Sequence, residues 1–171
     1  PASDEPYFFE ESYIDLPDKY ILDGKEHNLI KGLEYFSTDG LIILHKDKII
    51  YENYWNGNDR YSKHISWSVA KSFLSALIGI AIDEGLIDSI EDPATKYLPD
   101  FKDRIWGIKI KNILQMSSGV GFNEDYADPN SDINKFGRAA ARGTPFRDFA
   151  KTLTNEKEQG TFNHYVSIDT Q

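Results

Sequence analysis

Ser68 and Lys71 stand three residues apart in the stretch SWSVAKSF, Ser66 to Phe73. On a helix this spacing puts both side chains on one face. A serine at a helix start lies near terminal amides and a dipole that stabilise negative charge on its oxygen. The same dipole, and any burial, disfavour a protonated lysine nearby. A neutral lysine could then take the serine proton, which is one way to make a serine nucleophilic. The spacing by itself does not establish this. With 13 serines and 14 lysines in 171 residues, roughly one Ser-x-x-Lys match is expected by chance, and one occurs. On the pair alone, a capping Ser68 with Lys71 snorkelling out of the first turn is the better account. Two features of the surroundings favour chemistry. Lysine is unusual in a first turn, where the dipole prefers acids, and this one sits in an otherwise apolar helix.

That helix is read over Ser68 to Glu84, with Gly85 as its stop. Its apolar residues (Val69, Phe73, Leu77, Ile80 among them) run round every face, the pattern of a buried helix. Before it, Gly40 to Trp55 holds two β-branched runs flanking HKDK, a hairpin pattern. Residues 1–28 read as an irregular arm, followed by a short helix in LIKGLEYFSTDG. After the apolar helix come a loop with a short helix in DSIEDPATKYLPDF, and a helix in KIKNILQMSSG stopped by Gly119. Residues 119–131 read as irregular, and DINKFGRAAARG and TPFRDFAKTLTN as two further helices. The expected division is an arm over 1–39 and a folded portion over 40–171. A lone hairpin is marginal and the remaining residues supply no partner strands, so the chain is expected to be the N-terminal portion of a longer domain or one of two chains.

Composition narrows the function classes. Hydrophobic residues make up 40% and aromatics 13%, enough for a globular core. The net charge of −9 disfavours nucleic-acid and anionic-membrane partners. The absence of cysteine excludes disulfides, thiol nucleophiles and zinc-thiolate sites but does not fix a compartment. The longest apolar run, Phe73 to Ile82, is too short to span a bilayer.

The stretch SWSVAKSFLSALIGIAIDEGLIDSIEDPATKYLPDF resembles the active-site helix and following segment of the serine β-lactamase and penicillin-binding-protein superfamily. It is most similar to the branch related to class C β-lactamases, which also contains esterases, D-alanyl peptidases and 6-aminohexanoate-dimer hydrolases. GLIILHKDKIIYENYW is similar to that family's N-terminal strand pair, and NILQMSSGV to its segment ending in Ser-Ser-Gly or Thr-Ser-Gly. The family's second motif is Tyr-x-Asn or Tyr-x-Ser. Four such matches occur, but three precede Ser68, and only Tyr165-Val166-Ser167 follows it as the family order requires. Without the resemblance, Tyr165 reads as a partly buried aromatic near a turn. The third motif, Lys/His-Thr/Ser-Gly, does not occur after Tyr165.

The resemblance implies an α/β (α+β) fold in which an antiparallel sheet is flanked by helices beside a helical subdomain. It implies a serine hydrolase that cleaves a small ester or amide through an acyl-enzyme. Ser68 would be the nucleophile, Lys71 and Tyr165 would share proton transfer, and Ser167 would line the substrate pocket; Trp67 reads first as a packing residue, and its place beside Ser68 makes it a candidate for the pocket lining as well. No metal and no organic cofactor are called for. Ser167 in place of the Asn of many class C β-lactamases, and the wording around Ser68, lean away from a β-lactamase and towards the esterase and amide-oligomer branch. A β-lactamase or D-alanyl-D-alanine carboxypeptidase, and a non-catalytic sensor of the same fold, are the alternatives.

Other features have plainer readings. His27, His45, His64 and His164 lack metal-ligand spacing. The acids Glu124, Asp125, Asp128 and Asp132 lack a calcium-loop order and read as a solvated loop. Ser117 and Ser118 read as loop or cap residues. Trp55 and Trp106 read as packing residues.

Overall fold

The computed structural model describes residues 4–101 and 107–171, so the expected packing role of Trp106 lies outside the described residues. The chain divides into two compact units, one up to Ile65 and one from Ser66 to Gln171.

The first unit contains β1 (Glu10–Glu11), β2 (Lys19–Leu22), β3 (Lys25–Asn28), α1 (Leu29–Tyr35), β4 (Gly40–His45) and β5 (Lys48–Tyr54). β4 and β5 form the expected hairpin, from Gly40 opposite Tyr54 to His45 opposite Lys48. Its turn residues Lys46 and Asp47 both have positive φ, the two-residue geometry that matches strand twist. The segment read as an irregular arm is partly β-structure. β1 pairs in parallel with β5, and β2 and β3 form a second hairpin through Asp23–Gly24. The β1 pairing ties part of the segment read as an arm to the hairpin that follows.

The second unit begins with a 3-10 turn (Trp67–Val69) that leads into α2 (Ala70–Asp83), closed at Gly85 with φ +72°. Two short 3-10 turns, Ala94–Lys96 and Pro99–Phe101, occupy the segment expected to be a loop with a short helix. α3 (Ile110–Leu114), α4 (Asp132–Ala141) and α5 (Phe146–Ala150) follow, then a 3-10 turn over Ser167–Thr170. α4 is capped by Ser131, whose hydroxyl accepts from Asn134 N. α3 ends earlier than its sequence suggests: Met116 adopts φ +52°, and Ser117 N turns back to Asn112 O at 2.7 Å. Gly119 has another task. A Cβ there would lie 2.2 Å from Lys157 O, so only glycine lets residues 119–121 run against 154–157.

The core of this unit gathers Phe101, Ile108, Val120, Phe122, Ala150, Leu153, Val166 and Ile168. α2 does not join it as expected. None of its residues is buried, and Phe73, Leu77 and Ile80 are each more than half exposed. An apolar surface is a demand for cover, and the described residues do not meet that demand on most of this helix. Among the described residues no helix is long and apolar enough to cross a membrane.

Candidate active site

The turn ahead of α2 sets the first residue of the site. Trp67 has φ +44°, a left-handed conformation that costs a non-glycine residue on the order of 1 kcal/mol or more. Val69 N donates to Ser66 O at 3.0 Å, and Ala70 N reaches Ser68 O and Trp67 O. Among the described residues no backbone carbonyl accepts from the Ser68 N–H. The Ser68 side chain does not cap the helix: neither the turn nor α2 has a side-chain cap bond. Instead Ser68 Oγ accepts from Lys71 Nζ at 2.9 Å. The two side chains share a face because they are three residues apart, as the spacing requires.

The second part of the site is held by core packing. Val166 is extended (φ −137°, ψ 135°) and 1% exposed, and Ile168 is also buried. Extended backbone alternates its side chains, so anchoring Val166 leaves Tyr165 and Ser167 directed away from the core. His164 N donates to Met116 O at 2.7 Å and fixes the approach of this segment. Lys71 Nζ lies 5.4 Å from the centroid of the Tyr165 ring and 3.5 Å from Ser167 Oγ. The structure thus brings Ser68, Lys71, Tyr165 and Ser167 together around one amine.

Two carboxylates support this arrangement, and sequence reasoning gave neither a role. Glu124 accepts from Ser167 N at 2.5 Å and from Ser167 Oγ at 2.6 Å. Asp169 accepts from Ser118 Oγ at 2.7 Å, while Ser118 Oγ accepts from Val120 N at 3.2 Å. Asp169 Oδ2 is buried and has no partner among the described residues. Burial pushes the Asp169 carboxyl up to about 6, against the hydrogen bonds from Ser118 that pull it down. The only sequence signal for Asp169 was its place two residues after Ser167 and next to the apolar Ile168. Glu124 gave none, because its partner lies 43 residues away.

A cleft of about 680 Å³ adjoins the pair. Ser68, Lys71, Tyr165 and Asp169 line its polar side, and Leu74 and Ile108 belong to its apolar wall. Trp67 and Ser167, both expected in the pocket, are not on its walls. The Trp67 side chain is 75% exposed, and its contribution is the sharp backbone turn. Ser167 faces Lys71 instead. A hydroxyl and an amine at 2.9 Å beside an open cleft can act as nucleophile and base once the amine is neutral.

The β-lactamase family model matches residues 28–167. The 6-aminohexanoate-dimer hydrolase of Paenarthrobacter ureafaciens is 31% identical over 151 residues, which are 84% of this chain and 38% of that protein. A solved structure from Bacillus anthracis, provisionally named a 6-aminohexanoate-dimer hydrolase, superposes with a TM-score of 0.78 at 21% identity. That match covers 95% of this chain and 46% of the other, and the likeness is one of fold. The chain spans less than half the length of either protein.

Proposed function

The chain belongs to the β-lactamase family, and on that premise we propose that Ser68, Lys71 and Tyr165 perform acyl transfer in a serine hydrolase. Ser68 Oγ attacks the carbonyl carbon of an ester or amide. Its proton passes to the Lys71 amine as the new C–O bond forms. The Ser68 N–H, which has no backbone partner among the described residues, donates to the oxyanion. Lys71 and Tyr165 return the proton to the leaving alcohol or amine as its bond to the carbonyl breaks. Water, deprotonated by the same pair, then releases the acid and frees Ser68.

The observation that carries this reading is the 2.9 Å contact between Lys71 Nζ and Ser68 Oγ at the edge of a cleft that Tyr165 also lines. The names of both relatives, hydrolases of a 6-aminohexanoate dimer, support an ester or amide substrate rather than a β-lactam. The test incubates the protein with p-nitrophenyl esters and, separately, with a fluorescent penicillin, beside Ser68→Ala. Ester turnover is expected in the wild type, with a loss of at least about 10³-fold in Ser68→Ala. Turnover that survives the substitution contradicts the assignment of the nucleophile. Rapid penicillin hydrolysis with no ester turnover contradicts the substrate class.

A further inference from the structure

Glu124 holds Ser167 by both of its donors. Oε2 accepts from the Ser167 backbone N–H at 2.5 Å, and Oε1 accepts from the hydroxyl at 2.6 Å. Oε1 also accepts from Tyr126 OH at 3.0 Å. The Ser167 oxygen in turn accepts from Lys71 Nζ at 3.5 Å, and the same nitrogen lies 2.9 Å from Ser68 Oγ. These contacts have a direction. A hydroxyl owns one proton and an ionised carboxylate only accepts. With its proton committed to Glu124, Ser167 presents Lys71 with lone pairs alone.

We propose that Glu124 is a positioning residue for the Lys71 base: it fixes Ser167 as an acceptor, so that Lys71 directs an N–H to Ser167 and its lone pair to the Ser68 proton. This rests on the Ser68–Lys71 reading given above. A neutral amine has two N–H bonds and one lone pair. A Ser167 hydroxyl free to rotate could donate into that lone pair and block the base. Glu124 removes that option through two bonds that also pin the Ser167 backbone. No proton moves onto Glu124. The Ser68 proton goes to Lys71 Nζ, which becomes an ammonium, while Ser68 Oγ forms its bond to the acyl carbon.

Glu124→Gln reverses the direction of the hydroxyl with little change of shape. The amide carbonyl must take the fixed Ser167 N–H, which sets the amide NH2 against Ser167 Oγ. Ser167 then accepts from the amide and turns its own proton towards Lys71. In the full protein, with rates taken per active site by burst titration with a p-nitrophenyl ester, the acylation rate is expected to fall on the order of 10- to 100-fold, with KM within about twofold. Ser167→Ala, which has no hydroxyl to misdirect, is expected to be milder. Adding Glu124→Gln to Ser167→Ala is expected to cost less than about threefold. An equal loss in both backgrounds would mean that Glu124 only supports the loop, and it overturns the inference. So does an unchanged rate in Glu124→Gln. Ser68→Ala is assayed in the same series: turnover that survives there overturns the nucleophile reading itself, an outcome distinct from the other two.

Discussion

Each of the two units of the chain is stabilised internally by different means. No described residue up to Ile65 is buried. That unit relies on strand pairing and on exposed ion pairs such as Lys48–Glu10 at 2.6 Å and Lys19–Glu26 at 2.7 Å. From Ser66 onward lie all the buried apolar residues among those described, and two of them, Val166 and Ile168, flank Ser167. Exposed ion pairs contribute little and weaken with salt. Close packing resists displacement of even one methylene. The contacts that converge on Lys71 demand placement to a fraction of an ångström, and they stand on the unit that has a core.

The largest expected effect tests that contrast directly. Phe122, 3% exposed and part of the core, is two residues from Glu124 in the same segment. Phe122→Ala is expected to destabilise the second unit by about 3–5 kcal/mol. Ile42→Ala, on a half-exposed strand position of the first unit, is expected to cost about 1 kcal/mol or less. Amide hydrogen exchange resolved by segment reads both. Similar losses in the two units would break the comparison.

A smaller effect follows from Asp169. Its carboxyl is raised from an ordinary value near 3.8 to about 6, chiefly by burial. The folded state therefore holds the proton more tightly than the unfolded chain. With respect to this group, stability is greatest below pH ~4, declines as pH rises from about 4 to about 6, and is level above that. Allowing for residual solvent contact, the decline is about 2 kcal/mol. It is expected in melting curves of the wild type and absent from Asp169→Asn. A flat wild-type profile over that range would remove the burial account of this group.

The smallest effect belongs to the first unit. His64 Nε2 lies 2.9 Å from Asp39 Oδ2, and that bond, with a second to the Ile65 carbonyl, raises the imidazole above its usual range. The stabilisation is complete below about pH 6.5 and is lost as pH rises through the folded-state value. His64→Gln is expected to abolish this slight pH dependence of exchange in residues 4–65 and to leave the second unit untouched. A change in the second unit would sharpen the comparison in the opposite sense, by showing that the two units respond together.

Residues whose partners are near in sequence were legible, and those with distant partners were not. The Gly40 to Trp55 hairpin and the Ser68–Lys71 face follow from periods of two and of three to four residues. The β2–β3 hairpin was missed although Asp23-Gly24 is a strong turn signal, because its strands have four residues each and show no apolar alternation. Tyr165-Val166-Ser167 could be told from three similar triplets only by its order after Ser68. Glu124 looked like one acid among several in a solvated loop. Its role depends on the fold of residues 116–126, which rests on Met116 in a left-handed conformation and on the close approach at Gly119. The all-round apolar surface of α2 was legible, but its burial was not. An apolar pattern gives a helix's demand for cover but not the partner that meets it, and α2 has no buried residue.

The central claim is that Ser68 is a nucleophile activated by Lys71. Its most direct test is intact-mass and peptide-mapping analysis after treatment with a fluorophosphonate, which leaves a stable adduct on an activated serine. One adduct is expected, on Ser68, forming at least about 100-fold more slowly in Lys71→Ala. An adduct on another residue, or an unchanged rate in Lys71→Ala, would contradict the claim.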